Sequence, residues 1–583
     1  MNIFTPIERI VMIKITEGIR TAAVCLLLLA VNTGILGAQE EILHYHNVIV
    51  LIPDGCGIPH MTITRWCKGT PLAQDSMDVS LVHTFSANSM ITGSAASATA
   101  FATGHKTWEA SGKARCVSIQ PDSLLLPSAS ELPSTARWRP VATVLEGARL
   151  SGKAVGLVST CRASHATPAA YASHWHSRYD DNIIMEQMVY QGLDVLLAGG
   201  FQYLFDENIK IPGSTAKGKR HDGENFYEVL NARGYAIVTV KDQFKALSPA
   251  TQKLWGMFAH NHMVHDIDRK QFAPHEPSLA EMTQTAIDIL SKDPYGFFLM
   301  VEGSQIDWSS HDNDPVGTIT DYLAFDHAVQ VALDFARSRP EQQTLILMFP
   351  DHDNGGMSLG HCNMDTYMFH PDDMSRVIAA ASLTADGVAR LIEAKIDRSN
   401  PDKKAIRAIL SEHLGITDAT TEELTRITTE LADTQYCNLR TIFGPIISSR
   451  AGIGWTTFDH TGNDVPMFSY GCDEVPQTID NTDIARICAR TMGFNLEDLT
   501  ERLFADAEIL FKGADILIDT AGVGVSNGQL VVEKEGKKAV FPFFKNLMIT
   551  EKGTLPLEGL VVYSLNADKV FLPRQAKDLF EID

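Results

Sequence analysis

The chain has 583 residues, 45% of them apolar and 21% charged, an ordinary composition for a folded protein long enough for one large α/β domain with insertions or for two or three domains. Its formal net charge is -22 and its pI about 5.3. That leaves no basic footprint of a nucleic-acid-binding domain, although metal cations and an arginine gathered in one pocket can still hold a phosphate anion in an acidic protein.

At the N-terminus, Arg9, Lys14 and Arg20 precede the apolar run from Thr21 to Val31, and the small residues Gly37 and Ala38 precede Gln39-Glu40-Glu41. This is the pattern of a secretory leader cleaved after Ala38. The run is short of the roughly 20 residues a helix needs to cross a bilayer. Residues 1–38 are expected to be a signal peptide, the protein to be exported to a periplasm or the extracellular space, and the mature chain to have no transmembrane helix. Cys25 would leave with the leader. Eight cysteines remain, Cys56, Cys67, Cys116, Cys161, Cys362, Cys437, Cys472 and Cys488. Export permits disulfides, but their order in the chain pairs none of them, and without a Cys-x-x-Cys there is no cysteine-rich zinc module.

The mature chain opens on the apolar run His46 to Ile52, stopped by Pro53-Asp54-Gly55. Runs of the same kind recur at Ala154–Val158, Val195–Ala198, Gly296–Val301 and Thr344–Phe349. Continuous apolar runs bounded by turn residues predict strands buried on both faces of a mostly parallel sheet. Helical spacing alternates with them, as at Leu279–Ser291 and Ile319–Ser338. The expected fold is an open α/β sheet sandwiched by helices, with ligands at the carboxyl ends of the strands. Residues 364–451 break this rhythm. They are polar and helical by spacing (Thr384–Ile396, Asp402–Leu414, Thr421–Ala432) and read as an insertion. Asp480–Met492 reads as the closing helix of a catalytic domain spanning 39–495. Short β-like runs at Gln529–Glu533, Lys538–Phe543 and Gly559–Tyr563 predict a small β-rich module over 496–583.

Chemistry-bearing residues fall where these elements end or begin. Asp54 follows the first strand, and a carboxylate there can bridge two cations. Ser94 opens a helix of small residues, where free backbone N–H groups and the helix dipole favour an anion; on spacing alone it could equally be a plain N-cap. Thr167, in Ser164-His165-Ala166-Thr167-Pro168, offers a hydroxyl to a hard cation. Arg178 offers a fork that can hold two phosphate oxygens. Glu302 ends a strand, and Asp307 and His311 are four apart on one helical face, a spacing suited to zinc. Asp351-His352 follow another strand, and His460 precedes a glycine turn. His174 and His176 read as buried or supporting residues rather than ligands.

Taken in order, and in the wording Ser94-Ala-Ala-Ser-Ala-Thr-Ala100 followed by Thr103-Gly-His-Lys-Thr107, these stretches resemble the alkaline phosphatase family over roughly Asn47 to Met492. The resemblance implies a phosphoric monoester hydrolase acting through a phosphoserine on Ser94. It implies a first zinc on Asp307, His311 and His460, and a second on Asp54, Asp351, His352 and deprotonated Ser94. A third cation, magnesium, would sit on Asp54, Thr167 and Glu302, with Arg178 gripping the phosphate. It also implies a homodimer. Four positions depart from the family pattern. Gly93 stands where aspartate is common. His165 stands where aspartate is frequent and Trp308 where lysine or histidine is, both as neighbours of the third site. Asn354, expected near the second zinc, replaces a frequent histidine. An imidazole at 165 adds a softer donor, so the third site could hold magnesium weakly, or take zinc or cobalt. Two other readings stand beside this one. A phosphodiesterase or sulfatase of the same superfamily is one, although no Cys/Ser-x-Pro-x-Arg segment occurs at Cys56 or Ser94. A secreted phosphate- or metal-binding protein without catalysis is the other.

Overall fold

The computed structural model describes residues 46–109, 116–362, 364, 365, 367, 370–472, 475–520 and 524–582; the expected leader over 1–38 lies outside them. Ten strands make the main sheet: β1 Asn47–Pro53, β2 Asp78–His83, β3 Ala154–Arg162, β4 Val195–Gly199, β5 Ala236–Val238, β6 Leu254–Met257, β7 Phe297–Gly303, β8 Thr344–Met348, β9 Val465–Tyr470 and β10 Thr478–Asp480. Their order is β10-β2-β9-β8-β1-β7-β3-β4-β6-β5. β9 runs antiparallel to β8 and β2, and every other pairing is parallel.

β1 shows why the central strands read as unbroken apolar runs. Val48, Val50 and Ile52 enter the apolar core on one side of the sheet, while Ile49 and Leu51 enter a separate core on the other. With both faces covered by helices, neither parity can be polar. Strands at or next to the edges of the sheet follow another rule. In β2, Ser80 and Val82 are buried while Asp78, Val79, Leu81 and His83 are exposed, and β5 and β10 are three residues each. A search for apolar runs passes over such strands.

Among the described residues the insertion contributes five helices, Pro371–Ala379, Ala385–Lys395, Lys403–Leu414, Thr421–Ala432 and Arg440–Ala451. Three of them match the expected segments, Thr421–Ala432 at both ends and the other two but for residues that turn out to be caps. Thr384, Asp402 and Thr420 each accept a hydrogen bond from the first turn that follows. Their apolar stripes meet in a third core with Ile63, Val316 and Ile319.

The C-terminal part holds a five-stranded antiparallel sheet over Asp515–Asp519, Gln529–Lys534, Lys537–Pro542, Leu547–Thr550 and Gly553–Pro556. A three-stranded sheet (Ala505–Asp506, Val562–Ser564, Lys569–Leu572) and the helices Leu496–Leu503 and Gln575–Ile582 accompany it. The strand expected over Gly559–Tyr563 starts only at Val562. Leu530, Val532, Phe541 and Phe544 share one continuous core with Val48 and Val50, so this sheet is packed onto the α/β layers. Among the described residues Cys56, Cys67, Cys116, Cys161, Cys362, Cys437 and Cys488 are free thiols, and no helix is long and apolar enough to cross a membrane.

Candidate active site

The carboxyl ends of β1, β7, β8 and β3 converge, and each carries a chemistry-bearing residue. Beyond β1, Asp54 is fully buried and Gly55 turns with φ +69°. Only glycine fits there: a Cβ on Gly55 would lie 2.4 Å from Asp307 Oδ1 and 2.7 Å from Asp307 Cα. Four short or long helices frame the site: α1 Ser94–Thr103, α2 Ala166–Ala172, α3 Gln305–His311 and α4 Pro315–Ser338. Every residue of α1 is buried. Its small side chains let it pack closely against α2 and the closing helix Asn481–Met492.

Two histidine–carboxylate groups lie side by side. In the first, His311 Nε2 is 3.5 Å from Asp307 Oδ2, His460 Nε2 is 3.6 Å from Asp307 Oδ1, and the two Nε2 atoms are 3.2 Å apart. The Nδ1 of His311 lies 2.6 Å from the Phe458 carbonyl oxygen and that of His460 2.8 Å from the Thr92 carbonyl. A carbonyl can only accept, so each ring donates through Nδ1–H. Both Nε2 lone pairs then face one point, which fits a shared cation and no direct hydrogen bond. In the second group, His352 Nε2 is 3.1 Å from Asp351 Oδ2, 3.7 Å from Asp54 Oδ1 and 3.3 Å from Ser94 Oγ. The rings of His352 and His460 stack with centroids 3.6 Å apart, so the groups adjoin. Asp307, His352 and His460 also present ligand atoms within 4.8 Å of one another, as do Asp54, Asp351 and His352.

Asn354 is placed differently from expectation. It belongs with the first group: its Nδ2 donates to Asp307 Oδ1 at 2.7 Å and to the Asp307 carbonyl at 3.0 Å. The cause is a short antiparallel pairing of Asp353–Asn354 with His460–Thr461, which sets Asn354 opposite His460.

Around the expected third site, Thr167 Oγ, Glu302 Oε1 and His165 Nδ1 are buried without a hydrogen-bond partner. Ser159 Oγ donates to Glu302 Oε2 at 2.6 Å. Trp308 stands edge-on to His165, centroids 5.7 Å apart, and 4.2 Å from the ring of His262. Arg178, nearly buried, donates through Nη2 to His165 Nε2 at 2.7 Å. Arg178, Ser94, His165, Asp307, Trp308, His311 and His460 line one cleft of about 440 Å³. His174 is bound to Ser118 O and Glu146 and is fully buried, and His176 packs on Trp175.

Three neighbours escaped the sequence reading. His262 lies in a loop with no apolar periodicity around it. Cys161, one of the cysteines open to disulfide pairing, lies four residues before His165, a spacing that signals a shared site. Glu109 accepts the Gly93 N–H at 3.2 Å, and a Cβ on Gly93 would lie 2.7 Å from its Oε2. The space an aspartate would need at position 93 is therefore filled by the Glu109 carboxylate.

Electrostatics make the same point as the orphaned atoms. Burial, then Asp351, Asp307 and Glu302, push the Asp54 carboxyl well above its usual range, and neither of its oxygens has a hydrogen-bond donor. Burial raises Glu302 as well. Burial opposes ionisation of Asp351, but His352 beside it prevails and holds it below the usual carboxylate range. Burial, then His352, lower His460 to about 4, which keeps the ring neutral and able to ligate. Burial and the Arg162 and Arg178 guanidiniums lower His262 to about 3. Asp54 and Glu302, buried and raised with few protein cations nearby, are carboxylates that a bound metal cation would stabilise as anions. The oxygen and imidazole donors present fit such ions.

Comparison with known proteins agrees with this geometry. Residues 45–493 match the family model described as alkaline phosphatase. Alkaline phosphatase 3 of Bacillus subtilis is 33% identical over 478 residues, which cover 79% of this chain and 91% of that protein. The repressible alkaline phosphatase of Saccharomyces cerevisiae is 28% identical, covering 78% and 82%. Among solved structures, a cold-active alkaline phosphatase from a psychrophilic Shewanella aligns with TM-score 0.60 at 27% identity, covering 76% of this chain and 98% of that one. With the family model spanning most of the chain, this protein belongs to the alkaline phosphatase family and is a phosphatase.

Proposed function

We propose that the protein hydrolyses phosphate monoesters through a phosphoserine on Ser94, at a site for two zinc ions and a third cation. The observation that carries this reading is the placement of Ser94 Oγ 3.3 Å from His352 Nε2, at the head of a helix, in the cleft that Arg178 lines. Asp307, His311 and His460 would hold one zinc, Asp54, Asp351 and His352 the other with Ser94, and Asp54, Thr167 and Glu302 the third ion, expected to be magnesium. Bound cations of this kind supply Lewis acidity, which lowers the pKa of an oxygen nucleophile and offsets charge on a transferring phosphoryl group.

The protein's own residues do the rest. Ser94 gives up its proton to solvent and its Oγ attacks phosphorus from the end of α1, where backbone N–H groups favour an anion. The ester oxygen departs with the electron pair of its bond and takes a proton from solvent. Arg178 holds two non-bridging oxygens and keeps the phosphoryl group in line. Water then attacks the phosphoserine, releasing phosphate and restoring the Ser94 hydroxyl. We assign catalysis to residues 39–495, with the helical insertion at about 364–451, and treat 496–583 as an appended module. From the leader pattern of residues 1–38 we infer that the protein is exported, and from the family resemblance that it is a homodimer.

The test is phosphoenzyme trapping. Acid quench during turnover of a labelled aryl phosphate should leave label on Ser94, and Ser94→Ala should abolish it. Chelation should abolish activity and zinc restore it. An aryl sulfate and a phosphodiester should be poor substrates. Label on another residue, or an active protein free of zinc, would refute the proposal.

A further inference from the structure

Cys161 stands at the carboxyl end of β3, where that strand loses its register with β4 between Val158 and Arg162. Such irregularities re-aim side chains beside functional sites. Its Sγ lies 3.4 Å from Glu302 Oε2 and 3.0 Å from Ser159 Oγ. The sulfur of Cys161, a ring nitrogen of His165 and a carboxylate oxygen of Glu302 lie within 4.8 Å of one another, and all three residues are buried. Nearby, His165 Nδ1, Glu302 Oε1 and Thr167 Oγ have no hydrogen-bond partner. This is a set of sulfur, nitrogen and oxygen donors around one point. Magnesium asks for near-octahedral oxygen ligation, whereas zinc accepts a mixed tetrahedral set that includes thiolate.

We propose that the third cation site of this chain is a thiolate site, in which Cys161, His165 and Glu302 bind a zinc-like ion in place of magnesium. The assignment rests on the metal-dependent reading above and replaces its magnesium set. Charge supports it. One thiolate and one carboxylate neutralise a divalent ion, so Asp54 is left to Asp351 and His352. The thiol proton goes to solvent on binding. Arg178 occupies Nε2 of His165, and the unpartnered atom is Nδ1. A cation on Nδ1 places the ring proton on Nε2, which then stops accepting from Arg178. Filling the site therefore frees the guanidinium for substrate.

The experiment is a cobalt(II) titration of the full mature chain after chelator stripping. A third equivalent should bring sulfur-to-cobalt charge-transfer absorption in the near-ultraviolet. Cys161→Ser should lose that absorption while keeping the other two equivalents, and Cys56→Ala, which removes the buried thiol beside Asp54, should retain it. X-ray absorption at the zinc edge of wild-type protein gives a measure independent of any variant, with a sulfur shell expected at about 2.3 Å. Three bound equivalents without thiolate absorption, or magnesium held stoichiometrically through dialysis, would overturn the assignment while leaving the two-zinc reading standing. A wild-type chain that takes up no cobalt overturns both.

Discussion

Replacing Asn354 by alanine isolates the positioning of Asp307 from the ligands themselves. Asn354 is fully buried and uses its whole amide: Nδ2 donates twice to Asp307, and Oδ1 accepts from Gly355 N at 2.7 Å. The bond to the Asp307 carboxylate is charge-assisted and worth roughly 1.5–3 kcal/mol, and the two neutral bonds about 1 kcal/mol each. Asn354→Ala should therefore cost about 3.5–5 kcal/mol of stability. Loss of such a supporting partner typically weakens metal affinity 10- to 100-fold. The loss should be confined to the zinc on Asp307, His311 and His460, because Asn354 touches none of Asp54, Asp351 and His352 through its amide. Competition with a chromophoric chelator would resolve the two zinc affinities, thermal unfolding the stability, and excess zinc should restore most activity. A variant that binds both zinc ions within twofold of wild type, with an unchanged unfolding midpoint, would refute the reasoning.

Gly55→Ala forces a left-handed residue and drives its Cβ into Asp307; strain and overpacking together should cost about 2–5 kcal/mol, read as a lower thermal midpoint and weakened zinc retention, and normal values for both would count against the close approach. Arg178→Lys keeps the charge but loses the fork, so inhibition by inorganic phosphate should weaken roughly 10- to 100-fold; an unchanged inhibition constant would show that Arg178 does not hold the phosphate. A pH-dependent stability is expected from His265. Burial alone would lower its pKa, but Asp321, 2.7 Å from its Nδ1, prevails and raises it to about 10. A raised folded pKa gives stability that is complete below about 6.5 and lost as pH rises through about 10. The wild-type unfolding midpoint should fall over that window, and the fall should flatten in His265→Gln; equal slopes for the two proteins would contradict the ion pair.

Much of this protein is decided locally. β1 had to be apolar from Val48 to Ile52 because these alternate residues enter two cores, so the run, its stop at Pro53 and the carboxylate beyond it can be read from the chain alone. The same holds for β7 with Glu302 and β8 with Asp351-His352, for the Asp307/His311 spacing, and for the insertion helices with their Thr and Asp caps. Those features follow from strand and helix periodicity, which acts over a few residues. What tertiary structure decided involves residues far apart in sequence. β2, β5 and β10 become strands through their neighbours, because β2 is mostly exposed and the other two are three residues each. Asn354 serves Asp307 because a two-residue pairing brings in His460 from 106 positions away. Glu109 fills the space beside Gly93, His262 joins His165 and Trp308, and Cys161 reaches Glu302 from an adjacent strand. No local pattern encodes such meetings, because a side chain's partners across a site are set by where whole strands and loops pack.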